Sequence, residues 1–198
     1  MSEHERNERT FSPARAQRLE DPERQQFLPP GQVVEALQLT GQMTVADVGV
    51  GTGYFAIPIA RAVATGRVLA VDFQDEMLDL LRHKLAAGGA PRNVDVIRGE
   101  ARASTLAAAS CDRVLIANVW HELDRRDEVL AEMRRILVRE GRLAILDWRA
   151  DVEPPPGPPS AHRIPVDDVV AELEAARWNV TRSQQVGSFS YIVIAEPA

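Results

Sequence analysis

The sequence predicts an α/β fold in which a mixed sheet lies between two layers of helices. Strand-like segments alternate with segments of helical periodicity along most of the 198 residues, which is typical of parallel strands joined by helical crossovers. The strand-like segments are almost continuous apolar runs, as expected for a sheet that is covered on both faces. The last two strand candidates are separated only by the sequence GSFS, which is too short for a helical crossover. They are therefore expected to be antiparallel neighbours.

The individual elements follow from the spacing of apolar residues along the chain. Buried strands are predicted at residues 44–50, 66–73, 94–100, 111–120, 142–148, 179–186 and 191–197. Helices are predicted at residues 33–39, 54–64, 76–90, 126–141 and 166–178, with a short helical stretch near 103–110. Pro58 falls inside the first turn or so of its helix, where a missing N–H has little effect.

The N-terminal part of the chain has a different composition from the rest. Residues 1–30 are rich in charge and proline and cannot build a hydrophobic core alone. We predict an N-terminal extension over residues 1–30, either a solvated tail or a lid that folds over the core. Residues 31–198 are predicted to form one domain, because a chain of this length usually has a single core.

Composition and charge argue against several classes of protein. The formal net charge of −6 and the sequence pI near 5.3 argue against binding to nucleic acid or to an anionic membrane surface. Cys111 is the single cysteine, so neither an internal disulfide nor a cysteine-based zinc site is expected. No apolar run is long enough to span a membrane, and the charged start does not resemble a signal peptide. We therefore expect a cytoplasmic protein.

A glycine-rich segment follows the first predicted strand. Gly49, Gly51 and Gly53 occupy every second position between this strand and the next helix, after Asp47. At the carboxyl end of a strand in an open α/β sheet, such a turn lets backbone N–H groups approach a ligand without interference from a Cβ atom. The start of the helix adds partial positive charge that favours an anionic group. The alternative is that the glycines serve only the geometry of a tight turn.

The spacing of the glycines distinguishes between cofactors. Gly49 and Gly51 match the first two positions of the dinucleotide fingerprint G-x-G-x-x-G, but Tyr54 stands where the third glycine allows close helix packing. The pattern D-x-G-x-G-x-G resembles motif I of the class I S-adenosylmethionine-dependent methyltransferases. This resemblance implies S-adenosyl-L-methionine as cofactor and a Rossmann-like three-layer sandwich with a mixed seven-stranded sheet, whose last strand is antiparallel.

The resemblance extends to the segments after the later strands and implies further cofactor-binding residues beside Asp47 and the glycines. Asp72 stands where family members bind both ribose hydroxyls, and a carboxylate can accept two hydrogen bonds from such a diol. Phe73 would lie against the adenine, and Glu100 would accept a hydrogen bond from its amino group with Ala101 beside it. Asn118 falls beside the methyl-transfer face. Residues 157–165 look like a loop of a bacterial branch that methylates small molecules.

The reaction that the resemblance implies is an in-line displacement, for which the enzyme mainly aligns the reactants and excludes water. It requires no metal ion. An acceptor that loses a proton needs a base, and His121 is the candidate, with Glu122 and Asp147 as alternatives. A packing or capping role for His121 is the competing interpretation.

In related enzymes the N-terminal segment and the loop after the fifth strand close over the acceptor, so residues 1–30 and the proline-rich run at 154–159 are candidate lid segments.

The sequence alone identifies neither the methyl acceptor nor whether the protein is catalytically active. A quinone precursor, a polyketide-like phenol and other small metabolites are all compatible with the motifs, and the oligomeric state is not indicated. Two alternatives are an NAD-binding oxidoreductase, disfavoured by Tyr54 and the final hairpin, and a non-catalytic protein that binds S-adenosylmethionine.

Overall fold

Seven strands form one mixed sheet in the structure, a computed structural model that describes residues 21–153 and 157–198. The strands are β1 (Thr44–Val48), β2 (Arg67–Asp72), β3 (Val94–Arg98), β4 (Cys111–Ala117), β5 (Leu137–Trp148), β6 (Trp178–Val186) and β7 (Ser190–Pro197). Their order across the sheet is β3-β2-β1-β4-β5-β7-β6. The predicted seven-stranded sheet is confirmed.

Helices lie on both faces of this sheet. The described helices are α1 (Arg24–Phe27), α2 (Pro30–Ala36), α3 (Ala56–Ala62), α4 (Asp75–Ala86), α5 (Arg126–Ile136) and α6 (Val166–Ala175), with 3-10 turns at Trp120–Glu122 and Ser160–His162. Pro30 occupies the first position of α2, where its fixed φ angle suits the helix and its missing N–H needs no partner. Helix α4 carries Asp75 and Glu76 in its first turn and His83 and Lys84 in its last, an arrangement that complements the helix dipole.

The direction of β7 distinguishes this sheet from a purely parallel one. β1 to β5 pair in parallel, whereas β7 pairs antiparallel with both β5 and β6. In this arrangement Val193 of β7 stands opposite Ile145 of β5 on one side and Ser183 of β6 on the other. The short link between β6 and β7 leaves room only for a hairpin. The predicted antiparallel pairing of the last two strands is therefore confirmed.

Each face of the sheet packs against its own set of helices. On one face, Ile59 of α3 packs in the same cluster as Leu146 of β5. On the other face, Met133 of α5 and Leu173 of α6 pack in one cluster with Ile145. Adjacent residues of β5 thus point into different cores, because successive side chains of a strand alternate between faces. This double coverage explains the almost continuous apolar strands of the sequence.

Residues 137–141 differ from the sequence prediction. A helix is predicted over residues 126–141, but α5 ends at Ile136 and β5 begins at Leu137. Leu137 pairs with Cys111 at the start of β4, and the pairing register then shifts between Cys111 and Arg113. Pairing with β4 therefore overrides the helical spacing of the apolar residues in this segment.

The predicted helical stretch near residues 103–110 is also absent. Both the backbone N–H and the hydroxyl of Ser104 donate to Oε1 of Glu132 on α5, at 2.9 and 2.6 Å. Thr105 and Ala109 have positive φ angles of 66° and 48°. A backbone N–H engaged by a distant carboxylate and two left-handed residues are incompatible with a regular helix.

The described part of the N-terminal extension packs against the domain. Leu28 is fully buried in the core, and its carbonyl accepts a hydrogen bond from the hydroxyl of Tyr54 at 2.7 Å. The guanidinium of Arg24 lies 4.0 Å from the centre of the Tyr54 ring. Residues 21–30 are thereby attached to the segment that follows the three glycines.

Across residues 21–153 and 157–198, no helix has both the length and the apolar character needed to cross a membrane.

Candidate active site

The loops after β1 and β4 meet where the strand order of the sheet reverses. β1 lies between β2 and β4, and ligands of open α/β sheets bind in the crevice at such a switch point. Gly49 follows β1 and Val119 follows β4. A Cβ atom built on Gly49 would lie 2.6 Å from Cγ2 of Val119, so the two loops are in direct contact. We call this place, at the carboxyl ends of β1, β2 and β4, the crevice.

All three glycines of the loop after β1 have positive φ angles, 77° at Gly49, 53° at Gly51 and 85° at Gly53. The N–H of Gly49 donates to the carbonyl of Val71 in β2 at 2.8 Å. A Cβ atom on Gly53 would lie 2.5 Å from Cδ1 of Leu81 on α4. Turn geometry and close packing therefore require glycine at Gly49 and Gly53.

Asp72 is the last residue of β2 and faces the glycine loop. One of its carboxylate oxygens accepts the N–H of Gly51 at 2.8 Å, and the other accepts the N–H of Gln74 at 3.0 Å. Burial raises the pKa of the Asp72 carboxyl, and the hydrogen bonds from Gln74 and Gly51 oppose this effect. The structure thus brings Asp72 to the glycine loop, and its binding to ribose stays a prediction.

Phe73 directly follows Asp72 and leaves 47% of its surface exposed. An exposed aromatic ring offers a flat apolar surface on which a planar ligand can stack. The contact between Phe73 and adenine stays a prediction.

Glu100 and Ala101 lie in the segment that follows β3, beside the end of β2. The N–H of Gly99 donates to the carbonyl of Asp72 at 2.9 Å, so this segment begins next to the predicted ribose site. The Glu100 side chain is exposed and forms an ion pair with Arg102 at 3.1 Å. Ala101 is partly buried and packs against the core on the α5 and α6 side of the sheet. The contact of Glu100 with adenine stays a prediction.

Asp47 is buried beneath the glycine loop, with only 2% of its surface exposed. The N–H of Ala56 donates to its carboxylate, whereas Oδ2 has no hydrogen-bond partner. Burial, and secondly the charge of Asp72, raise the pKa of Asp47 to about 7. Asp47 therefore sits at the base of the crevice as an acid that is largely protonated below neutral pH.

Replacing Asp47 by asparagine is expected to change how stability depends on pH. Because the folded pKa of about 7 exceeds the ordinary aspartate pKa of 3.8, the folded protein keeps a proton that the unfolded chain releases. The free energy of unfolding of the wild type therefore falls as pH rises from 4 to 7, by at most about 4 kcal/mol from this group. Asp47→Asn removes this contribution, so the variant should gain stability relative to the wild type across that range. Urea unfolding at a series of pH values measures the difference, and parallel curves for the two proteins would contradict the expectation.

Asn118 lies on the loop after β4 in a left-handed conformation, with a φ angle of 56°. Its backbone N–H donates to the carbonyl of Leu146 at 2.8 Å. Both polar atoms of its side-chain amide are buried without a hydrogen-bond partner. Buried amides in folded proteins normally have partners, and a left-handed asparagine carries strain that often marks a functional site. The amide of Asn118 is thus well suited to bind a polar ligand.

His121 forms a hydrogen-bonded pair with Asp147 at the end of β5. The Nδ1 atom of His121 lies 2.8 Å from Oδ1 of Asp147, and its backbone N–H donates to Oδ2 at 2.9 Å. Burial lowers the pKa of the His121 imidazole, but the hydrogen bond to Asp147 and the charges of Asp147 and Glu122 outweigh it. The resulting pKa of His121 is raised above 6.5. The structure therefore combines His121 with Asp147, and its catalytic role stays a prediction.

Arg163 belongs to this site, although the sequence analysis does not identify it. Its guanidinium is largely buried in the loop before α6, where it donates to the carbonyls of Pro158 and Arg149 at 3.0 and 2.8 Å. It also lies 5.6 Å from the centre of the Trp148 ring. In the sequence, Arg163 is a single arginine after a proline-rich run. This pattern by itself does not distinguish a residue of a functional site from a surface residue.

Aromatic side chains form a wall beside the end of β5. The ring of Phe27 lies 6.4 Å from that of Trp148 and 6.1 Å from that of Phe189. A Cβ atom on Gly157 would lie 2.7 Å from the Trp148 ring. The N-terminal extension and the loop after β5 thus both contact Trp148, next to Asp147.

The described residues contain no group of three or more histidine, cysteine or acidic side chains that could hold a metal ion. The fold and the crevice define a class: Rossmann-like enzymes in which a glycine loop and an acidic residue at the end of β2 hold a nucleoside cofactor. A buried, unpartnered amide at Asn118, three glycines without a Cβ atom and the exposed ring of Phe73 fit such a cofactor.

Comparison with known proteins identifies the family within this class. A methyltransferase-domain model matches residues 45–141. A solved S-adenosylmethionine-dependent methyltransferase from Aquifex aeolicus is 32% identical, with a TM-score of 0.88, and the alignment covers 94% of this chain and 98% of that one. The chain belongs to the S-adenosylmethionine-dependent methyltransferases, as the sequence motifs predict, and S-adenosyl-L-methionine is the cofactor of this family. The NAD-binding alternative is not supported.

Curated relatives match a shorter part of the chain. The ubiquinone/menaquinone biosynthesis C-methyltransferase UbiE of Klebsiella pneumoniae is 32% identical over 113 residues, which are 57% of this chain and 45% of that protein. The demethylmenaquinone methyltransferase of Deinococcus radiodurans is 35% identical over 112 residues, which are 57% of this chain and 44% of that protein. The alignments thus span less than half the length of these relatives.

Proposed function

We propose that this protein transfers the methyl group of S-adenosylmethionine to a small hydroxylated aromatic or quinol acceptor. The observation that carries the proposal is the hydrogen bond between Asp147 at the end of β5 and His121, which lies on the same loop as Asn118. A base at this place can remove a proton from an acceptor whose oxygen or activated ring carbon is methylated.

The residues of the crevice have distinct roles in this proposal. Asp72 accepts hydrogen bonds from the ribose hydroxyls, and Phe73 covers the adenine, whose amino group donates to Glu100 beside Ala101. Asn118 holds the amino-acid end of the cofactor with its amide, whose two polar atoms have no partner within the chain. The placement of Asp72 and Phe73 at the carboxyl end of β2 supports these assignments.

Asp47 and the glycine loop form the base of the cofactor site in this proposal. Gly49, Gly51 and Gly53 leave their backbone accessible because they carry no Cβ atom. The unpartnered Oδ2 of Asp47 lies beneath them and can accept a hydrogen bond.

The aromatic wall and the names of the relatives support an aromatic or quinol acceptor. Phe27, Trp148 and Phe189 lie beside the end of β5, and flat apolar side chains favour flat apolar ligands. The curated relatives are named as methyltransferases of quinone biosynthesis.

When bound, the cofactor supplies an electrophilic methyl group on a sulfonium centre. The chain aligns the acceptor with that group, removes the acceptor's proton through the side chains around His121 and excludes water.

The described residues 21–30, which contact both Tyr54 and Trp148, are proposed to act as part of the lid. Residues 1–20 and 154–156 of the predicted lid segments lie outside the described residues. Limited proteolysis with and without cofactor tests this lid, because an unchanged cleavage rate would contradict it.

We further propose that the protein acts in the cytoplasm on a diffusible acceptor and not on nucleic acid. The net charge of −6 disfavours binding to a polyanion, and the single buried cysteine suits a reducing compartment.

A thermal-shift comparison followed by a turnover assay tests the proposed function. S-Adenosylmethionine and S-adenosylhomocysteine at about a hundred times their dissociation constants should each stabilise the protein by about 2.7 kcal/mol. For a chain of this size, that corresponds to a rise in Tm of roughly 5 to 10 °C. With 1,4-naphthohydroquinone as acceptor, formation of S-adenosylhomocysteine should exceed the rate without acceptor. A shift with NAD alone, or a shift with the adenosyl ligands without turnover of any quinol, would contradict the proposal.

A further inference from the structure

We propose that Glu122 is the residue that takes the proton of the methyl acceptor, with His121 and Asp147 behind it as the pair that positions and shares this proton. This inference deepens the proposed function and rests on it for the identity of the reaction. The role of His121 changes accordingly: it is a positioning residue that acts through Glu122 and does not contact the acceptor.

Asp147 is the buried end of the series formed by Asp147, His121 and Glu122. Its Oδ1 atom accepts the N–H of Trp148 at 2.8 Å and lies 2.8 Å from Nδ1 of His121. Its Oδ2 atom accepts the backbone N–H of His121 at 2.9 Å. The carboxylate has a solvent exposure of only 1%. It therefore holds Nδ1 of His121 as the protonated nitrogen and directs Nε2 away from β5.

His121 is itself too enclosed to meet a substrate. Its side chain is 6% exposed, and its remaining nitrogen, Nε2, lies 3.6 Å from Oε1 of Glu122. The Glu122 side chain, by contrast, is 41% exposed. An incoming molecule can thus reach the carboxylate of Glu122 but not the imidazole behind it.

Glu122 also lies on the loop that borders the crevice. Its backbone N–H donates to the carbonyl of Val119 at 2.9 Å, and Val119 contacts Gly49 across the switch point. The Asp72 carboxylate, on the other side of the crevice, interacts electrostatically with Glu122. Glu122 therefore contacts the imidazole of His121 and is close enough to Asp72 for their charges to interact.

The charged groups around Glu122 and His121 allow these two side chains to share a proton. Burial raises the pKa of Glu122, the charge of His121 lowers it, and Asp147 and Asp72 raise it. For His121, burial acts against Asp147 and Glu122, which raise its pKa, and Arg163 lowers it. A proton that arrives at Glu122 can therefore pass to Nε2 of His121, where two carboxylates stabilise the imidazolium.

The balance of the proposed step is simple. The acceptor's electron pair, on oxygen or on a ring carbon activated by that oxygen, forms the new bond to the methyl carbon. The pair of the broken carbon–sulfur bond stays on sulfur, which becomes a neutral thioether. The acceptor's hydroxyl proton goes to the carboxylate of Glu122 and from there to His121. No oxidant, reductant or metal ion is needed.

The test is Glu122→Gln, which keeps the size of the side chain but removes its ability to accept a proton. With 1,4-naphthohydroquinone, kcat of the variant should fall by about a hundredfold or more, while the Kd for S-adenosylmethionine stays unchanged. Glu140→Gln, an exposed glutamate of β5, serves as the matched control and should retain wild-type kcat. A wild-type kcat in Glu122→Gln would overturn the inference.

A second measurement does not depend on turnover and separates this inference from the proposed function. In a 15N titration of the histidine side chains, Glu122→Gln should lower the pKa of His121, because one of its two stabilising carboxylates is lost, and Glu140→Gln should not. Asp147→Asn should lower the pKa further and shift the acid limb of the kcat profile in the same direction. If the wild type does not turn over any quinol, the proposed acceptor is wrong, and the titration still tests the interaction between Glu122 and His121 that the inference requires. An unchanged His121 pKa in Glu122→Gln would overturn it.

Discussion

Replacing Gly49 by alanine is expected to destabilise the folded protein by about 2 to 5 kcal/mol, from left-handed strain and overpacking together. The φ angle of Gly49 is 77°, and an added Cβ atom would lie 2.6 Å from Cγ2 of Val119. The loops after β1 and β4 must then separate, and this displaces the edges of the crevice. Because small displacements of a binding loop are costly, the affinity for S-adenosylmethionine should fall about a hundredfold. Urea unfolding and calorimetric titration measure the two effects.

Val119 provides the control for Gly49. Val119→Ala in the Gly49→Ala background removes the collision but not the strain of the positive φ angle. A double-mutant cycle between the two positions should therefore show a coupling free energy of about 1 to 3 kcal/mol. If the two substitutions were simply additive, the contact between Gly49 and Val119 would not limit the position of the loop.

Replacing Asp72 by alanine should weaken the binding of S-adenosylmethionine by about 1.5 to 3 kcal/mol, the range for hydrogen bonds to a charged group. In the structure, the Asp72 carboxylate lies at the end of β2 and is fixed by the N–H groups of Gly51 and Gln74. The substitution therefore removes the proposed partner of the ribose and also one support of the glycine loop. A calorimetric titration at a temperature where the variant stays folded measures the loss.

Asp75→Ala is the matched control for Asp72→Ala. Asp75 lies three residues further along, in the first turn of α4, with an exposed side chain that pairs with Arg98 at 3.2 Å. Its removal should leave cofactor binding unchanged. Asp72→Ala should also lower the pKa of Asp47, because the charge of Asp72 contributes to raising it. Equal affinity in the folded Asp72→Ala variant would remove Asp72 from the cofactor site.

Much of the site could be predicted from sequence because its signals are local. The glycines at alternate positions, and the acidic residue at the end of the second strand, are read within short segments of the chain. The structure places Gly51 and Asp72 in hydrogen-bond contact, as their position at adjacent strand ends suggests. Arg163 and the arrangement around Glu122 could not be predicted, because their surroundings are contributed by separate segments.

The sequence by itself determined the alternation of strands and helices and the reversal of the final strand, and the resemblance of its motifs to a known family indicated the class of cofactor. The alternation and the reversal depend on periodicity and on a link too short for a crossover. Only the tertiary structure decided that α5 ends at Ile136, since Leu137 pairs with Cys111 of β4. Only the tertiary structure decided which of His121 and Glu122 is accessible, because Asp147 comes from another strand and encloses the imidazole. Burial and pairing between distant segments depend on the packed chain as a whole, and local sequence patterns do not contain them.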